Sequence, residues 1–271
     1  MTNFRRYRIF VLVAFACAAA TVMAHPAFGA DAVDRKAVLT QVRKSYPYLR
    51  ARGLAGFKCT LVPNWEAVLA DVKKSDPERA AAALKMLTPL RFQVILGSSD
   101  LVQVTHNSID APEQSQAALQ QIYGGMEQMV TGFFQTWTPF MLTDPFPETD
   151  GDYKLEDLGP RYRLSYKEAG DSDVVYLINK DLTVAEMKAT NAEFEGTIRP
   201  TFEKSPAGFL LTAYEADYQQ AGASNPIHLH VEINYQEVSK LQLPKRLYIA
   251  AGMPAYTRIE LAFPDCSVEK K

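Results

Sequence analysis

Two histidines at alternate positions, His228 and His230, are the residues of this 271-residue chain that come nearest to a metal-binding pattern. Alternate residues of a strand point to the same face, so the two imidazoles could bind zinc or copper with a third ligand from a neighbouring strand. Glu232 shares that face. Zinc sites need three or four ligands, however, and two solvated surface histidines are the favoured alternative. The sequence therefore assigns no metal and no cofactor, with His228 and His230 kept as the candidate ligands.

Sequence motifs for catalysis are absent. The chain contains no GxSxG elbow, phosphate-binding P-loop or GxGxxG fingerprint. Acidic runs such as Glu156-Asp157 fall in predicted turns, where they have a conformational role. We therefore assign no catalytic residue, and a metal-dependent enzyme at the two histidines is the least favoured function. The net charge of −2 gives no basic surface for nucleic acid.

The clearest functional pattern is a stripe of methionine, aromatic and aliphatic residues in the predicted helix 111–142. Its members recur at steps of three and four residues, which is the spacing of one helix face. Methionine is flexible and polarizable, so such a face can pack around irregular apolar molecules. One interpretation is a hinged lid that binds a hydrophobic ligand, and the other is a core helix that fills the space itself. The predicted ligand-binding residues are Ile122, Met126, Met129, Val130, Phe133, Trp137 and Met141.

Two glycines, Gly124 and Gly125, lie in the middle of this predicted helix. Each costs roughly 1 kcal/mol of helix stability relative to alanine. They predict either a kink or a close approach of the helix to the sheet.

The N-terminus reads as a secretory signal peptide, residues 1–29. Arg5, Arg6 and Arg8 precede an uncharged apolar run at 9–24, and small residues at 27 and 29 fit a cleavage after Gly29. The run is shorter than the ~20 residues of a spanning helix. We expect export to the periplasm, with an uncleaved N-terminal membrane anchor as the alternative.

Two cysteines, Cys59 and Cys266, remain in the chain after the predicted signal peptide. In an oxidising compartment an even pair favours a disulfide bond, so we predict Cys59–Cys266. Two buried free thiols are the alternative.

The remaining pattern predicts helices followed by a long run of strands. In residues 227–235 the apolar and polar residues alternate, which is typical of a strand with one packed and one solvated face. Short turns between successive strands indicate antiparallel pairing. The predicted helices are 31–52, which Pro47 is expected to kink or end early, 65–73 after the cap Asn64, 77–87 after Asp76, and 111–142. The predicted strands are 54–62, 91–96, 101–107 and several segments after residue 153.

Two segments, one at each end of this layout, define it. They are VLTQVRKSYPYLRARGLAGFKCTLV and INYQEVSKLQLPKRLYIAAGMPAYTRIELAFPDCSVEK. With the Leu-Pro step at 243–247, they give the chain an architecture that resembles the LolA/LolB-like periplasmic lipoprotein carriers. The resemblance implies an α+β fold, an antiparallel incomplete β-barrel (half-barrel) wrapped around helices, with a long amphipathic helix on the concave face. Residues 30–271 would form one such domain, with a helical insert at 64–142.

The function that this resemblance implies is a soluble periplasmic carrier or sensor. It would bind lipid, lipoprotein acyl chains or another hydrophobic ligand in an apolar cavity, and its partner would be that ligand or a lipidated protein. The alternative is a structural or interaction protein of the cell envelope that has a filled core and binds an envelope protein. Neither function involves nucleic acid, and the sequence assigns no oligomeric state.

Overall fold

The structure is a computed structural model, and it describes residues 34–168, 171–223, 225–253 and 255–271. The predicted signal peptide, residues 1–29, lies outside the described residues.

Three of the described helices in the N-terminal half each begin after a residue whose side chain caps them. The carboxylate of Asp34 accepts the amide of Ala37 at the start of α1 (Arg35–Lys44). Asn64 caps α2 (Trp65–Val68), which Leu69 separates from α3 (Ala70–Ser75). Asp76 caps α4 (Pro77–Leu87), whose first residue is the proline that suits that position. The predicted helix 31–52 is thus shorter in the structure, since α1 ends before Pro47.

The long predicted helix is α5 (Glu113–Trp137), and a π-helical turn at Thr138–Leu142 continues it. Among the described residues, no helix is both long and apolar enough to cross a membrane.

Thirteen strands within the described residues form one antiparallel sheet. They are β1 (Leu54–Pro63), β2 (Phe92–Leu96), β3 (Val102–His106), β4 (Lys154–Asp157), β5 (Arg161–Glu168), β6 (Ser172–Asn179), β7 (Val184–Thr190), β8 (Phe194–Ser205), β9 (Gly208–Gln220), β10 (Ile227–Val238), β11 (Leu241–Met253), β12 (Ala255–Ala262) and β13 (Ser267–Lys270).

The order of the strands across the sheet is nearly the order along the chain. From β4 to β12 each strand pairs with its successor, and β12 then pairs with β1, which leads through β2 to β3. The short β13 also pairs with β1. In the described part of the chain, the end strands β3 and β4 are not paired with each other, so the sheet is open. This confirms the predicted antiparallel α+β architecture in its general form.

The sheet has one apolar and one polar face over much of its area. In β10 the buried residues Val231 and Ile233 alternate with the exposed Glu232 and Asn234. The apolar face packs against the C-terminal part of α5 and the turn after it, where Trp137, Phe140, Met141 and Leu142 are almost fully buried. The predicted alternation is therefore confirmed, because a strand buried on one side must reverse polarity at every residue.

The predicted disulfide joins two positions that lie far apart along the chain. Cys59 lies in β1, and Cys266 lies between β12 and β13, 207 positions away. The bond between their sulfurs confirms the prediction. It also fits an oxidising compartment, where such bonds persist.

Candidate functional site

The candidate site is a groove between α5 and the apolar face of strands β7–β11. It holds about 670 Å³, within the ~300–1,000 Å³ that is typical of small-molecule sites. Phe194 and Ile227 at its edge remain 37 % and 44 % exposed, so the groove is open to solvent.

The walls of the groove come from two sources. The helix side consists of Gly125, Gln128, Met129, Gly132, Phe133, Gln135, Thr136 and Pro139. The sheet side consists of Met187, Ala189, Phe194, Ile198, Tyr214, Tyr218, Ile227, Leu229, Val231, Ile249 and Ala251. Almost all of these side chains are apolar or aromatic, so the surface that they offer suits an apolar ligand.

Three hydroxyl groups supply most of the groove's buried polarity. The hydroxyl of Thr136 donates to the carbonyl of Gly132 at 3.2 Å and lies 2.8 Å from the hydroxyl of Tyr218. Tyr214, which also borders the groove, is almost fully buried. Burial raises the pKa of both tyrosines, so both are neutral at physiological pH.

The C-terminal end of α5 is fixed to the sheet beside the groove. The indole nitrogen of Trp137 donates to the hydroxyl of Tyr235 at 3.0 Å, and that hydroxyl donates to the carbonyl of Leu211 at 2.7 Å. The amide of Leu211 contacts the sulfur of Met141 at 3.4 Å. Burial raises the pKa of Tyr235, so the hydroxyl keeps the proton that it donates to the carbonyl of Leu211. The helix wall is thus held in place by hydrogen bonds at one end.

The predicted stripe of α5 divides between the groove and the core. Met129 and Phe133 border the groove. Met126, Val130, Trp137 and Met141 are buried in the core instead, and Ile122 is half-buried against it. All seven residues belong to the core or pack against it, and Met129 and Phe133 also border the groove.

The helical glycines do not serve the close approach that the sequence predicts. A β-carbon at Gly124 or Gly125 would meet no atom within 4 Å, and α5 continues through both residues. Of the two alternatives that the sequence left open, a close approach to the sheet does not occur at either glycine, and neither glycine interrupts the helix. Gly125 instead borders the groove, where the missing side chain leaves space.

The two candidate metal ligands lie on the opposite, polar face of the sheet. His228 hydrogen-bonds Asp217 through Nδ1. His230 contacts Glu215 at 2.5 Å through Nδ1 and Glu232 at 3.1 Å through Nε2. The hydrogen bond that His230 donates to the Glu232 carboxylate favours the protonated imidazole and raises the pKa of His230. Among the described residues, no three His, Cys, Asp or Glu are grouped to hold a metal ion.

Sequence reasoning missed most of the sheet wall. The alternation in β10 already placed Ile227, Leu229 and Val231 on the apolar face, which was a usable signal. Met187 and Tyr218 come from strands that the sequence could not place opposite α5.

No family model, curated protein or solved structure matches the chain.

Proposed function

We propose that the protein binds a hydrophobic small molecule in the groove between α5 and strands β7–β11, as a carrier or sensor. The observation that carries the proposal is an open space of about 670 Å³ whose walls are almost entirely apolar. Exposed apolar surface in a concave site is costly in water, and burial of apolar surface at about 25 cal/mol per Å² would favour an apolar occupant.

The same proposal includes the finer architecture and the location. The sheet would be a half-barrel around α5, with α5 as the long amphipathic helix on the concave face, as in the LolA/LolB-like carriers. The protein would act in the periplasm after cleavage of residues 1–29. The Cys59–Cys266 bond supports an exported location, because such bonds are rare in reducing compartments.

Binding is tested with a neutral fluorescent probe, N-phenyl-1-naphthylamine, on the protein purified after expression of the full chain. We expect saturable fluorescence with the unmodified protein. Ala189→Trp fills the groove from β7 and should weaken probe binding by at least about tenfold, because packed interiors have no room for a second occupant. Thr190→Trp is the matched control, since adjacent residues of a strand point to opposite faces.

Two results would contradict the proposal: no saturable binding, or equal binding by the Ala189→Trp protein. Either would favour the envelope interaction protein with a filled core. Intact-mass measurement of the same preparation tests the location, because cleavage after Gly29 gives a defined shorter chain. A lipid extract of that preparation tests for a co-purified apolar ligand.

A further inference from the structure

The side chains that border the groove carry no charge in the part of the chain that the structure describes. Its polar members are two glutamines, one threonine and two tyrosines. A charged group that enters an apolar site without a partner loses its hydration and gains nothing in return. The groove therefore selects against a ligand whose buried part is ionised.

The hydroxyls of Thr136 and Tyr218 form a hydrogen-bonded pair among these residues. The carbonyl of Gly132 can only accept, so Thr136 donates to it and Tyr218 donates to Thr136. The phenolic oxygen of Tyr218 is then left as an acceptor beside the groove. A ligand group that can donate a hydrogen bond pairs with this oxygen, whereas a group that only accepts does not.

The volume of the groove limits the size of the ligand's apolar part. A methylene group takes about as much space as a water molecule in the liquid, roughly 30 Å³. The groove's 670 Å³ therefore suits one alkyl chain better than two long chains.

We propose that the groove takes an uncharged, single-chain amphiphile that donates a hydrogen bond from an alcohol hydroxyl to the Thr136–Tyr218 pair. This inference rests on the proposed function and deepens it by naming the ligand class. It assigns Thr136 and Tyr218 as the residues that determine specificity.

The test is displacement of N-phenyl-1-naphthylamine by three ligands of matched size. 1-Dodecanol can donate, its isomer 1-methoxyundecane can only accept, and dodecanoate is charged at neutral pH. We expect the alcohol to bind about three- to tenfold more tightly than the ether, which is the effect of one hydrogen bond. Dodecanoate should bind most weakly. The ether is the more hydrophobic isomer, so nonspecific partitioning would give the opposite order.

Two variants remove the preference by different routes. Tyr218→Phe deletes the acceptor, so the affinity of the groove for the alcohol should fall to its affinity for the ether. Thr136→Val frees the proton of Tyr218 for an accepting ligand, so the ether should gain affinity. In both variants the ratio of the two affinities should fall to about one.

Matched controls come from sites outside the groove. Thr131→Val alters the same helix away from the groove lining, and Tyr248→Phe alters a tyrosine of the polar sheet face. Both should keep the ratio of the unmodified protein.

The outcomes separate this inference from the proposed function. Equal displacement by alcohol and ether, or tightest binding by dodecanoate, overturns the inference and leaves apolar binding intact. An unchanged ratio in Tyr218→Phe also overturns it. If the probe does not bind at all, the proposed function fails and the inference fails with it.

Discussion

The hydroxyl of Tyr235 connects the end of α5 to the sheet. It accepts from the indole of Trp137 and donates to the carbonyl of Leu211, and both of these partner residues are almost fully buried. A hydroxyl is suited to this position because it both accepts and donates. The hydroxyl of Tyr235 should therefore stabilise the protein through both hydrogen bonds, in addition to the apolar surface that the ring buries.

Tyr235→Phe should lower the free energy of unfolding by about 1–3 kcal/mol, because it leaves the indole N–H and the Leu211 carbonyl without a partner. Urea unfolding measures this loss. Tyr248→Phe removes the same atom from the polar face and should change stability by less than about 0.5 kcal/mol. Equal effects of the two substitutions would mean that the Tyr235 bonds contribute nothing specific.

The sequence placed the two histidines correctly but could not identify their partners. The sequence placed His228 and His230 on a polar strand face, and the structure agrees. Their partners Asp217 and Glu215 lie directly across from them on β9, in the registered pairs of the two strands. Register depends on the whole hairpin, so the carboxylates could not be assigned from the spacing of the histidines.

At the scale of elements, the turn between β8 and β9 packs onto the C-terminal end of α1. Gly208 has φ +126°, and a β-carbon there would lie 2.5 Å from the carbonyl oxygen of Ser45. The amide of Phe209 donates to that same oxygen at 2.8 Å. The glycine therefore permits both the backbone conformation and the close contact between the turn and the helix.

Gly208→Ala should destabilise the protein more than Gly53→Ala does. Gly53 also has a positive φ of +91° but has open space around it, so its substitution carries only the conformational cost of about 1–2 kcal/mol. At Gly208 the steric overlap should add at least about 1 kcal/mol. Urea unfolding of both variants measures the difference, and equal losses would refute the role of the contact.

Most elements could be predicted from the sequence, because local signals determine them. The caps Asn64 and Asp76 and the alternation in β10 each identified an element in the correct place. The predicted range 31–52 extended past Pro47, but α1 ends at Lys44, in agreement with the expectation that Pro47 ends the helix early. The division of α5 between core and groove was missed because spacing gives the apolar face but not what packs against it.

The candidate site is formed by elements that lie far apart along the chain. Its helix wall lies near residue 130, and its sheet wall extends from Met187 to Ala251. Nothing in the sequence indicates that the sheet leaves space beside Met129 and Phe133 while it packs tightly around Trp137. That difference depends on the distance between two surfaces, which local patterns do not encode.

The Cys59–Cys266 bond acts on the whole chain, since it links β1 to the segment before β13. Cys59→Ala with Cys266→Ala should lower the free energy of unfolding by about 2–5 kcal/mol, because the unlinked unfolded chain has more conformational freedom. Urea unfolding with and without dithiothreitol measures this. Reduction should bring the unmodified protein to the stability of the double variant and should leave the double variant unchanged. Equal stability of the oxidised protein and the double variant would refute a stabilising role for the bond.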